Sequence, residues 1–146
     1  ELVVRSMREN DGFAATHGVK MAFEDKSPGL RVNADRDRLV QVITNLLSNA
    51  IKFSPQGGIV DVGIHSHGDK LRVTVADRGP GVPFEFQSRL FERFAQLDSF
   101  DSRRRGGTGL GLSICQGIIE RLGGVIAYSP RSGGGSEFYF ELPVQR

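Results

Sequence analysis

A single cysteine, Cys115, in 146 residues excludes an internal disulfide, and its place inside an apolar helical pattern makes a buried, reduced thiol the default. No apolar run approaches the roughly 18 residues of a membrane-spanning helix, and the chain shows no signal peptide. The net charge of +2 is too small to argue for nucleic acid by bulk electrostatics. No segment repeats. Residues 106–113 are rich in glycine but no Gly-Lys-Ser/Thr follows them, so they are not a Walker loop, and the third glycine of a dinucleotide fingerprint is missing. The chain starts on Glu1 without Met, which reads as a piece of a longer protein.

What is present is ordinary for one globular domain: 38% hydrophobic and 25% charged residues, in a chain long enough to bury roughly two-thirds of its unfolded surface. Its 19 glycines cluster at the edges of periodic segments, where they mark loops. Residues 2–17 carry a weak helical pattern interrupted at Asp11-Gly12, with Gly18 as a C-cap. Residues 19–24 and 30–32 alternate as short strands around the turn Ser27-Pro28-Gly29. Asn33 or Asp35 caps a helix running to about Phe53, whose core stripe is Leu39, Ile43, Leu46, Leu47 and Ala50. Residues 59–65 and 70–76 form a hairpin turning at His67-Gly68-Asp69. A long irregular segment from Asp77 to about Thr108 contains one short helix near Phe84–Phe94, and loops of that length are usually functional. A helix from Thr108 to Gly123 follows, with Leu110, Ile114, Ile118 and Leu122 spaced by four and Cys115 and Ile119 beside them, and residues 125–128 and 137–142 close the chain as a last hairpin. This order predicts an α+β fold with an antiparallel or mixed sheet and helices on one face.

Four motifs and one arginine run carry chemistry. Asn45, Asn49 and Lys52 share one helical face, away from the core stripe. Two amides and an ammonium there suit Mg²⁺ and phosphate, and equally suit a solvated polar face. Asp77-Arg78-Gly79-Pro80-Gly81 puts a carboxylate where a strand runs out; it accepts from an exocyclic amine or merely opens a turn. Phe91 and Phe94 stand three residues apart on a short helix, as a satellite core or a ligand wall. Gly106 to Ser113 precede a helix, where backbone N–H groups and the helix dipole favour an anion, or where glycines simply turn the chain. Arg103-Arg104-Arg105 is a solvated loop or a screen for polyphosphate.

In this order, the four motifs resemble the catalytic, ATP-binding domain of two-component sensor histidine kinases, within the superfamily shared with DNA gyrase, mismatch-repair and heat-shock chaperone ATPases. Asp37–Phe53 is similar to the family's N box, Asp77–Gly81 to its first glycine box, Phe91–Phe94 to its F box and Gly107–Gly111 to its second glycine box. The similarity covers about residues 2–143 and identifies the whole of 1–146 as one such domain.

The resemblance implies a two-layer Bergerat-type sandwich, with a mixed, mostly antiparallel sheet and about three helices on one face. It implies ATP and Mg²⁺ as cofactors, Asn49 as the metal ligand with Asn45 on the same face, and Lys52 on the phosphates. Asp77 would accept from the adenine amine, and Gly79 and Gly81 would let the base lie against backbone. Gly107, Gly109 and Gly111 would supply backbone donors near the phosphates, Thr108 would cap the helix, and Leu110 belongs to the same contact set. Residues 82–107 would be an ATP lid anchored by Phe91 and Phe94, and Ser136 would lie near the base.

The function so implied is transfer of the γ-phosphate to a histidine on a separate dimerisation domain, with a response regulator receiver domain downstream and no nucleic acid. The location is cytoplasmic, in a parent that is itself free or membrane-anchored. The fragment is expected to be a monomer and the parent a homodimer.

Two features depart from the family pattern. His17, His65 and His67 are not followed by an acid, so the phosphoacceptor is absent from this chain. Gln96 also stands where many relatives have an arginine, leaving Arg93 or the 103–105 run to supply that charge. An ATPase, a serine-directed kinase on the same fold and a degenerate interaction module are the competing readings. Hydrolytic relatives place a Glu four residues before the metal-binding Asn, and Asn45, which takes no proton, occupies that place.

Overall fold

The computed structural model describes residues 1–92 and 111–145. The first helix, α1 (Leu2–Glu9), is followed by α2 (Asp11–Thr16). The break lies at Asn10, one residue before the predicted interruption, where the backbone leaves helical ψ. Its buried side-chain amide donates to the Ser6 carbonyl at 2.8 Å, an oxygen that also accepts from the Asn10 backbone N–H at 3.2 Å. Gly18, at φ 68°, ends the segment.

The central helix, α3 (Arg36–Phe53), is capped by Asp35, whose carboxylate accepts from the N–H groups of Asp37 and Arg38 at 3.1 and 3.3 Å. Of the two predicted caps, Asp35 fills the role and Asn33 does not. The predicted stripe is buried, and Val42 and Ile51 join it with no measurable exposure. This broad apolar face lets α3 touch α1, the second helix layer partner α5 (Gly111–Arg121), and the sheet together.

The sheet has five strands: β1 (Lys20–Asp25), β2 (Ile59–His67), β3 (Lys70–Asp77), β4 (Val125–Pro130) and β5 (Ser136–Pro143), in the order β1-β2-β3-β5-β4. β1 pairs parallel to β2, with Lys20 opposite Ile59, and the other neighbours are antiparallel. A parallel pair needs a long crossover, which α3 provides. Val60, Val62, Ile64, Val73, Val75, Phe138, Phe140 and Leu142 alternate onto the helix-facing side and are all buried. On the other side Arg72 bonds Glu141 at 2.7 Å and lies 4.1 Å over the Tyr139 ring. The result is the mixed, mostly antiparallel two-layer α+β architecture expected, with α1, α3 and α5 as the main helices.

Three local expectations are corrected. Residues 30–32 form no strand; Val32 makes one isolated antiparallel bridge to Val144. The short helix α4 spans only Phe84–Gln87, so Phe91 sits in a following turn, while Phe94 lies outside the described residues. In α5 the buried residues are Cys115 and Ile119, and Ile114 is exposed. Spacing by four drifts around a helix of 3.6 residues per turn, and contact with both α3 and β4 selects the Cys115/Ile119 side. Leu110 lies outside the described residues.

Asp35→Ala removes the cap of the helix on which the core is built and should cost about 1 kcal/mol of stability. Urea denaturation of the two proteins measures this as a shift in midpoint with unchanged slope.

Candidate nucleotide site

β3 ends on Asp77, and its burial at 4% exposure makes this the costliest side chain in the described chain to leave without partners. Its carboxylate accepts from the Gly79 N–H at 2.9 Å and from the Ser136 N–H, with the positive charge of Arg131 also acting on it. Desolvation outweighs these and raises its pKa above the ordinary 3.8. Local geometry explains the glycines around it. A Cβ on Gly79 would run into the Phe53 carbonyl at the end of α3, and one on Gly135 would run into the Asp77 carbonyl. Gly135 also holds φ at 107°, a conformation open to glycine.

One turn of α3 carries the amides. Asn49 Nδ2 donates to Asn45 Oδ1 at 3.3 Å, which commits the Asn49 nitrogen and leaves its carbonyl oxygen as the ligand atom. Gly111, the first residue of α5, packs so close that a Cβ there would lie 2.5 Å from the Asn45 amide nitrogen. Asn45 is thus wedged between Asn49 and the start of α5. Lys52 follows one turn on along the same face, partly exposed. Among the described residues no group of three or more His, Cys, Asp or Glu side chains is placed to hold a metal. The amide oxygens of Asn49 and Asn45 are hard donors that fit Mg²⁺.

These pieces meet in a small cleft, partly open to solvent, lined by Asn49, Ala50, Phe53, Asp77, Pro80 and Gly81 with Leu112, Ser136 and Phe138. Asn49, Asp77 and Gly81 are therefore brought to one cavity, together with Ser136. Asn45, Gly79 and Gly111 stand behind it, each pressed against a lining residue or its neighbour. Lys52 does not line it. Gly107, Thr108, Gly109 and Leu110 lie outside the described residues, as do Gln96 and Arg103 to Arg105. A mostly apolar slot with one buried acceptor at its end is suited to a flat heteroaromatic ring bearing an amine.

Residues 34–146 match the model of a family described as histidine kinase-, DNA gyrase B-, and HSP90-like ATPase. The chain belongs to this family. Within the ATPase family its likeness is to sensor histidine kinases: it is 39% identical to the alginate biosynthesis sensor protein KinB of Pseudomonas aeruginosa over 91% of this chain and 21% of KinB. Its fold matches the solved catalytic domain of the histidine kinase ThkA with a TM-score of 0.85 and 34% identity, covering 97% of this chain and 90% of that one. It also matches full-length ShkA, solved in complex with AMPPNP, with a TM-score of 0.84 and 33% identity over 98% of this chain and 29% of ShkA. ThkA has in addition been solved in complex with the response regulator TrrA. The chain is thus the ATP-binding domain of a histidine kinase type, homologous to the sensor kinases of two-component systems, and spans about a fifth of KinB's length. Among the described residues no helix is long and apolar enough to cross a membrane.

The sequence reading missed Phe138 and Phe53 as cleft walls and Gly135 as a structural partner of Asp77. The alternation Ser136-Glu137-Phe138 carried a signal for Phe138, whose inward position follows from strand parity. Gly135 read only as a turn glycine, since its need for open space comes from a strand distant in sequence.

The raised pKa of Asp77 has a stability consequence. Between about 3.8 and its higher folded value the native state holds a proton that the unfolded chain has released, so this group makes stability fall as pH rises through that window. Asp77→Asn, which keeps an acceptor oxygen for Gly79 and removes the titrating charge, should flatten this part of the stability–pH curve. Thermal melts of both proteins from acid to neutral pH check it.

Proposed function

We propose that this domain binds Mg·ATP and donates the γ-phosphate to a histidine on a separate dimerisation domain, as the catalytic step of two-component signalling. The observation that carries the reading is that the buried Asp77 carboxylate and the Asn49 amide, 28 residues apart, open on one apolar slot. Asp77 accepts from the adenine amine and so selects adenine over guanine, whose corresponding position carries a carbonyl acceptor instead. Gly79 and Gly81 shape the backbone beside the ring. Asn49, oriented by Asn45, holds Mg²⁺ when it is bound, and the metal supplies charge neutralisation for the phosphates. Lys52 reaches phosphate oxygens, and Gly107, Thr108, Gly109, Leu110 and Gly111 belong to the phosphate side.

Phosphoryl transfer is governed by positioning and charge, so these groups suffice without a general base in the domain. A nitrogen of the acceptor imidazole forms a bond to the γ-phosphorus as the bond to the bridging oxygen breaks, and ADP leaves. The hydrolytic alternative is not favoured, because Asn45 is an amide engaged with Asn49 and takes no proton from water. The parent is a cytoplasm-facing homodimer, this domain by itself a monomer, and the phosphate passes on to a response regulator receiver domain. The crystallised ThkA–TrrA and ShkA–AMPPNP complexes support both the receiver and the nucleotide.

Calorimetry on the 146-residue chain should give clear Mg·ATP binding and at least tenfold weaker Mg·GTP binding, and Asp77→Asn should lose several-fold in ATP affinity. Equal affinity for the two nucleotides, or no change in the variant, overturns the role given to Asp77. When the parent's dimerisation helices are included, Asn49→Ala should abolish Mg²⁺-dependent autophosphorylation, measured as labelled phosphate on the protein. Label at the wild-type level would remove Asn49 from the metal.

A further inference from the structure

We propose that Tyr128, which lies outside the cleft, is a positioning residue that holds the base-binding wall in place and thereby sets nucleotide affinity. The assignment rests on the reading of the cleft as the ATP site. Residues 78–83, between β3 and α4, belong to neither a strand nor a helix, so no ladder fixes the backbone of Pro80 and Gly81 where it lines the cleft. Side chains do so instead, at the next residue. The Val82 N–H donates to the Tyr128 hydroxyl at 3.2 Å. The Val82 carbonyl accepts from Gln87 Nε2 at 3.1 Å. Val82 itself is buried at 8% exposure, so its backbone groups have little access to water as substitute partners.

Tyr128 also meets the opposite side of the slot. In the β4–β5 register it stands across from Phe138, and their rings pack edge-on with centroids 5.2 Å apart at 61°. Phe138 lines the cleft and in turn meets Phe91 at 6.3 Å and 77°. One side chain therefore touches both boundaries of the slot: the ring supports the Phe138 face, and the hydroxyl fixes the peptide that follows Gly81. Gly81, at φ 78°, has no Cβ to restrict its backbone, so little besides the anchor at Val82 confines the segment to this conformation. Ordering such a loose wall on ligand entry would be charged against binding, whereas a wall already held is not.

The test is Tyr128→Phe in the 146-residue chain, which keeps the ring and deletes the hydroxyl. Calorimetry with Mg·ATP and with ADP should show dissociation constants raised about three- to tenfold, the value of one net hydrogen bond. The factor should be the same for both nucleotides, because the defect lies at the base end. Hydrogen exchange at the Val82 amide should accelerate, and the melting temperature should fall by about a few degrees, since a buried N–H loses its acceptor. Gln87→Leu, which removes the partner on the other face of the same residue, should shift affinity in the same direction and serves if the first variant folds poorly. A lowered melting temperature with unaltered nucleotide affinity would show a purely structural tyrosine and overturn the assignment. So would a loss confined to ATP, which would locate the effect at the phosphates. A wild-type chain that binds neither nucleotide brings down the reading of the cleft itself, an outcome visible before any substitution is made.

Discussion

A carboxylate buried at the end of a strand is the constraint around which this domain is arranged. Removing Asp77 from water is costly, and the surrounding chain is shaped to offset part of that cost with backbone donors from both sides: Gly79 from the following turn and Ser136 from the neighbouring strand. Those donors can come close only if the residues beside them lack side chains. Gly79 clears the Phe53 carbonyl, and Gly135 clears the Asp77 carbonyl. The glycines near the site are therefore a packing solution for the buried acid, and the space for a ligand is what the solution leaves over.

The same economy governs α3. Its apolar face, from Leu39 to Ile51, is the centre of the core, and the cleft is lined by Ala50 from that face together with the neighbouring Asn49. Asn45 joins the two functions. It bonds Asn49 within the helix and meets Gly111 across the interface with α5, so any change in the packing of the two helices is felt at the amide proposed to hold the metal. A rigid helix is suited to this task because one turn sets the spacing of the donors before any ligand arrives.

Much of the fold could be read from residue order. The eighteen-residue helix with its Asp35 cap, the β2–β3 hairpin and the final hairpin follow from periodicity and turn chemistry acting over a few residues. The buried side of α5 was harder to read. Leu110, Ile114, Ile118 and Leu122, with Cys115 and Ile119 beside them, form a broad apolar stripe in the sequence; the neighbours α3 and β4 centre its buried part on Cys115 and Ile119, keep Ile118 and Leu122 against the core and leave Ile114 exposed. Val32 similarly looked like part of a strand and found a partner only in Val144, a residue near the other end of the chain.

By itself, the order of residues determined the elements, the family likeness and the identities of the polar groups Asn45, Asn49, Lys52 and Asp77, because each rests on spacing along the chain. Tertiary structure alone decided that β1 runs parallel to β2, that Gly135 must pass over Asp77, and that Tyr128 reaches Val82. These depend on distances between segments far apart in sequence, and no local propensity encodes a distance to a partner that the chain has not yet met.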